Sequence, residues 1–112
     1  MNDNLIKQFR KGILEIVILK LLSKKEMYGY ELVAELNRQG SAFNIKEGTL
    51  YPILYRLEDD GLMATRWEQP AFRKQPKKYY SVTEKGQQVM LESYAQWKAI
   101  AREMTTIMED YE

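Results

Sequence analysis

The chain contains no cysteine and no histidine. Disulfides, thiolate nucleophiles and the usual zinc sites are thereby excluded, as is any mechanism that needs an imidazole. Internal repeats and low-complexity segments are absent. So is a long hydrophobic run: the most apolar stretch, Ile13 to Leu22, is interrupted by Glu15 and Lys20 and is too short to span a bilayer. The opening Met1-Asn2-Asp3-Asn4 lacks the basic start and apolar core of a secretion signal. A soluble cytoplasmic protein with no membrane partner is the expectation. Net charge is also scarce, at +1, so the chain as a whole does not have the balance of a nucleic-acid binder.

What is present is ordinary globular material, 45% hydrophobic and 29% charged. At 112 residues it supports one compact unit with a single core. The charge is unevenly placed. Residues 66–80 hold five basic groups (Arg66, Arg73, Lys74, Lys77, Lys78) against Glu68, whereas residues 84–112 hold three basic groups and six acids.

From Leu5 to Leu22 the pattern is helical and apolar around most of its circumference, so this helix is expected to be covered on nearly every side. The cover comes either from its own chain or from another subunit. A second helix spans about Tyr28 to Gln39 and stops at Gly40. Residues 41–46 form a turn. A third helix runs from about Glu47 to Asp60 and ends at Gly61, with Leu50, Ile53, Leu54 and Leu57 as its core stripe. Pro52 costs this helix one backbone hydrogen bond, near the start where water can reach the orphaned carbonyl. Two strands follow, Leu62 to Glu68 and Lys77 to Val82, joined by a tip from Gln69 to Pro76. Thr83 caps a last helix.

This order predicts a mainly α fold with a small β-hairpin: a winged helix-turn-helix over residues 1–82, then a long dimerisation helix over residues 83–112. The outer face of the third helix carries Gly48, Thr49, Tyr51, Pro52, Tyr55 and Arg56. Small residues let a backbone approach a DNA groove, and hydroxyl and guanidinium groups reach phosphates and base edges. A merely solvated face would more often be Glu, Lys and Gln. Tyr28 and Lys46 are placed to touch the DNA backbone, and Arg73, Lys74, Lys77 and Lys78 act as the wing. By itself such a hairpin would read as an ordinary charged loop.

In the last helix Met90, Tyr94, Trp97, Ala101, Met104, Met108 and Tyr111 recur at spacings of 4, 3, 4, 3, 4, 3. That heptad seam calls for a partner, most simply a second copy. Trp97 either fills the interface or borders a space in it. The carboxylates at Glu58-Asp59-Asp60 and Glu109-Asp110 come without a phosphate loop, metal-ligand set or nucleophile–base pair, so they read as solvated faces and no enzyme is expected.

Three segments closely resemble the signature of the PadR family of bacterial transcriptional regulators. They are Tyr28-Gly29-Tyr30-Glu31-Leu32, the run from Glu47 to Glu58, and the run from Lys78 to Gly86. The likeness extends over about Leu5 to Glu112. It implies a repressor that dimerises through its first and last helices, binds operator DNA and is released by small molecules. The single C-terminal helix resembles the short subgroup, which includes multidrug-sensing members. In those, a tryptophan of the last helix lines a pore at the dimer interface and stacks on flat aromatic compounds. Trp97 matches it, with Phe9, Gly12, Ile16, Lys20, Ser93 and Ala101 as neighbours; no cofactor is implied. The rival reading is a small-molecule-binding or protein-adaptor dimer that does not read DNA. It rests on the near-zero net charge and on Glu47, Glu58, Asp59 and Asp60 around the third helix.

Overall fold

The computed structural model describes residues 3–69 and 74–110; Arg73, counted above in the wing, and Tyr111, in the seam, lie outside the described residues. The order is α1 (Asp3–Lys24), β1 (Met27–Tyr28), α2 (Gly29–Gln39), a 3-10 turn (Ser41–Phe43), α3 (Glu47–Asp59), β2 (Met63–Glu68), β3 (Lys77–Val82) and α4 (Glu84–Asp110). The fold is mainly helical with a small antiparallel sheet, a winged helix followed by a long C-terminal helix.

The sheet has three strands in the order β1-β3-β2, one more than the hairpin expected from the sequence. β1 pairs Met27 with Tyr80 and Tyr28 with Tyr79. Two residues carry no alternation that periodicity could detect; only the returning strand makes them one. In the hairpin, Met63 faces Val82 and Glu68 faces Lys77.

The core stripe of α3 is buried as its spacing requires, with Leu50, Ile53, Leu54 and Leu57 packed against Leu32 and Leu36 of α2 and Leu14, Ile18, Leu19 and Leu22 of α1. The α2–α3 turn is tied by the Ile45 N–H, which donates to the Asn37 side-chain carbonyl at 3.3 Å. At the end of α3, Gly61 adopts φ +77°, and Gly61 and Leu62 donate to the carbonyls of Glu58 and Leu57. That is a left-handed helix stop, which glycine takes without strain. The Thr83 hydroxyl accepts from the Gly86 N–H at 3.0 Å and caps α4 as expected. Gly86 lies so close to the Leu62 carbonyl that no side chain fits there, which locks the start of α4 onto the wing.

Within its own chain α1 is covered only in part, so the cover expected for the rest is left to another subunit. The C-terminal half of α1 is in the core, whereas Leu5, Ile6 and Phe9 are exposed. α4 is similar: Met90 is buried in the core, but Trp97, Ile100, Met104, Ile107 and Met108 are exposed. The long axis of the molecule is 65 Å. No helix among the described residues is long and apolar enough to cross a membrane.

Candidate nucleic-acid interface

At about 100° per residue, the buried stripe of α3 leaves Gly48, Pro52 and Tyr55 opposite the core. All three are exposed, Tyr55 by 52%. Gly48 has nothing within 4 Å of where a Cβ would stand, so its backbone is open to an approaching surface. The two borders of this face differ.

On the wing side, Tyr51 is half-buried rather than outward, which corrects the expectation from helical spacing. Its ring stacks on Tyr55 at 6.2 Å, and its hydroxyl fills the place a side chain at Gly29 would need. Burial raises its phenol above the ordinary range. These two tyrosines, with Tyr28, Trp67, Lys77 and Lys78, line a cleft of about 320 Å³ between α3 and the hairpin. Tyr28 precedes α2; its N–H donates to the Glu31 carboxylate at 3.2 Å, and its ring meets Tyr79 edge-on at 5.6 Å. The Lys77 ammonium sits 4.6 Å from the Tyr28 ring centre.

The wing has less free charge than its sequence suggests. The Arg66 Nε donates to both oxygens of Glu26, at 3.1 and 3.0 Å, and holds that carboxyl below its usual range. Lys78 pairs with Glu58 at 3.4 Å. Glu58 also accepts from the Thr65 hydroxyl at 3.0 Å, so it is a tether between α3 and the sheet, not the solvated acid expected. Lys74 and Lys77 are exposed, and among the described residues no acid forms an ion pair with either.

On the other border, Thr49, Pro52 and Arg56 face α1 across a groove of about 870 Å³. Arg56 is half-buried and paired with Glu15 of α1, so its charge is spent inside the chain instead of facing outward as the sequence suggests. Lys46 is exposed at the start of α3, its carbonyl accepting from Thr49 and Leu50 at 3.0 and 3.1 Å. The facing wall is Lys7, Arg10 and Lys11, with the Arg10 guanidinium donating to the Asn44 carbonyl. These three were not singled out from the sequence. Their i, i+3, i+4 spacing is a basic stripe, but it is masked by the apolar run beside it.

The residues matched to an effector pore fall on two separate helix faces. Phe9, Gly12, Ile16 and Lys20 share about 80° of arc on α1, and Ser93, Trp97 and Ala101 about the same on α4. Trp97 stacks on Tyr94 at 6.2 Å. None of the seven lines either groove beside α3. Among the described residues no group of three acids could hold a metal ion.

Comparison with known proteins agrees with this architecture. The model of the transcriptional regulator PadR-like family matches residues 18–92. A transcriptional regulator of Mycobacterium tuberculosis, Rv3488, is 31% identical over 99 residues, covering 88% of this chain and 89% of its own. The crystal structure of a PadR family transcriptional regulator from Eggerthella lenta superposes with a TM-score of 0.85 at 34% identity, covering 95% of this chain and 90% of that one. A PadR-like transcription factor from Bacteroides fragilis gives a TM-score of 0.78 at 36% identity, over 94% of this chain and 99% of that one.

Proposed function

The chain belongs to the PadR-like family of transcriptional regulators, and from that premise we propose that it is a repressor that binds an inverted-repeat operator as a homodimer. The family is one of regulators, not enzymes. The observation that carries the DNA reading is the exposed Gly48-Pro52-Tyr55 face of α3, open to close approach and bordered by basic side chains on both sides. Gly48, Thr49, Pro52 and Tyr55 meet the major groove, with Tyr51 supporting Tyr55 from behind. Tyr28, Lys46, Lys74 and Lys77 serve the backbone contacts, with a lesser part for Lys78, whose charge Glu58 offsets, together with Arg73 beyond the described residues. Arg56 positions α3 against α1.

The homodimer is supported by the uncovered apolar seam. Seen with Leu5, Ile6 and Phe9 of α1, the exposed side chains of α4 from Trp97 to Met108 form a surface that a second copy would cover. Two α3 helices so joined engage half-sites about 34 Å apart. Band shifts with the DNA upstream of the chain's own gene test the reading. Tyr55→Ala is expected to lose about 1–3 kcal/mol of discrimination against random duplex. Lys74→Ala with Lys77→Ala weakens both duplexes alike and flattens the salt dependence. Affinity unchanged in all of these variants overturns the assignment. Absence of any salt-dependent retention on duplex DNA favours the adaptor reading.

For the effector, we propose that a planar aromatic compound stacks on Trp97 between subunits, beside Phe9, Gly12, Ile16, Lys20, Ser93 and Ala101; the exposure of Trp97 on α4 supports it. Such a compound should quench tryptophan fluorescence in the wild type and much less in Trp97→Ala, where only Trp67 remains. Equal quenching in both rules the pocket out.

A further inference from the structure

We infer that the groove between α1 and α3 is a second backbone clamp, in which Lys7, Arg10 and Lys11 of α1 and Lys46 grip the phosphate strand on the side of α3 away from the wing. This rests on the DNA reading above and adds an element to it. An α-helix is about 10–12 Å across and the major groove about 12 Å wide, so an inserted helix lies between two phosphate strands. The wing serves one of them with few free cations, because Arg66 and Lys78 are held by Glu26 and Glu58. The opposite strand would pass the α1 groove.

That groove is chemically one-sided. Five basic side chains line it and, among the described residues, no acid does. Glu15 neutralises Arg56 at its edge, which leaves Lys7, Arg10, Lys11 and Lys46 in excess. Lys7, Lys11 and Lys46 are exposed, and the Arg10 guanidinium spends one donor on Asn44 while keeping its charge. Thr49 and Pro52 line the same groove, so it opens directly onto the α3 surface proposed to meet DNA.

The groove is also distinct from the apolar surface of α1. Around the helix axis the Lys7-Arg10-Lys11 stripe is centred roughly 140° from the Leu5-Ile6-Phe9 stripe, at about 100° per residue. A second copy seated on the apolar stripe therefore leaves the basic one open. The alternative occupant is the acidic end of a partner's α4, with Glu103, Glu109 and Asp110.

The test is fluorescence anisotropy of full-length protein on a labelled random-sequence 30-base-pair duplex, titrated from 50 to 200 mM salt. Each phosphate contact contributes about 0.9 to the slope of log affinity against log salt, so Lys7→Ala with Lys11→Ala should lower the slope by about 1.8. Across this range the salt-induced loss of affinity then shrinks by about twelvefold. Lys24→Ala with Lys98→Ala, the same charge change elsewhere, should leave the slope as it is. Sedimentation of the groove variant should still give the wild-type oligomer. An unchanged slope in the groove variant, with the Lys74→Ala, Lys77→Ala slope reduced, overturns the clamp and leaves the DNA reading standing. A weakened oligomer with an unchanged slope assigns the groove to the partner's α4 instead. Wild-type protein that shows no salt-dependent binding removes both readings together.

Discussion

Every leucine and isoleucine of α3 is buried against neighbours from its own chain, whereas α4 beyond Met90 exposes one large apolar side chain after another, up to Met108 at 70%. Both helices carry a regular apolar stripe in sequence. They differ in what surrounds them. α3 is enclosed by α1, α2 and the sheet within a short stretch of chain, and its stripe is used up in the fold. α4 extends about 40 Å at 1.5 Å per residue, further than the core can follow. An apolar stripe therefore marks a surface to be covered, and length decides whether its own chain can cover it.

Substitutions on the two stripes separate these cases most sharply. Leu54→Ala should cost about 2–5 kcal/mol in denaturant unfolding, the price of a cavity in a closed core. Ile100→Glu with Met104→Glu should leave the helical circular-dichroism spectrum in place and raise the dimer dissociation constant roughly a hundredfold or more, because two carboxylates would be buried without partners. If the double variant sediments as the wild type does, the α4 stripe is not an interface and the comparison fails.

Gly48→Ala gives a smaller effect with opposed signs. The position is helical and has open space, so alanine should add up to about 1 kcal/mol of stability by restricting the unfolded chain. The added methyl stands where the groove wall would approach, and duplex affinity should fall. A variant that is more stable and binds DNA equally well would mean that α3 does not approach DNA through Gly48.

The smallest effect is in alkali and reports on the enclosed half. Tyr80 is pushed up to about 12 by burial, and Tyr79 to about 12 by its hydrogen bond to Glu68. Unfolded tyrosines ionise near 10. The folded state thus favours the neutral phenols, and their contribution is intact below pH 10 and lost as pH rises through 12. A spectrophotometric titration should find two of the eight tyrosines ionising near pH 12 in the folded protein. Ionisation of all eight near pH 10 without unfolding would contradict the packing of β3.

Much of this was legible in one dimension. The helix boundaries, the stop at Gly61, the cap at Thr83 and the core leucines of α3 are local events written in local residues. β1 was not, because a two-residue strand exists only through Tyr79 and Tyr80, some fifty positions away. The same separation explains the reassigned site residues. Helical spacing puts Tyr51 and Arg56 on the outer side of α3, but Gly29 and Glu15 draw both inward. Glu58 read as solvated until β2 and β3 brought Thr65 and Lys78 to it.

By itself the sequence determined the order of the four helices and the hairpin, the family and the face of α3 that is free of leucine, because these depend on periodicity, capping and motif over a few turns of chain. Only the tertiary structure decided where the charge is available. Arg56, Arg66 and Lys78 are equal to any other cation in a count, but each has an acid brought to it by a distant segment: Glu15, Glu26 and Glu58. Lys7, Arg10 and Lys11 have none among the described residues and come to lie beside α3. Ion pairs form in three dimensions, so net charge along the chain could not say which side of α3 would hold the free cations.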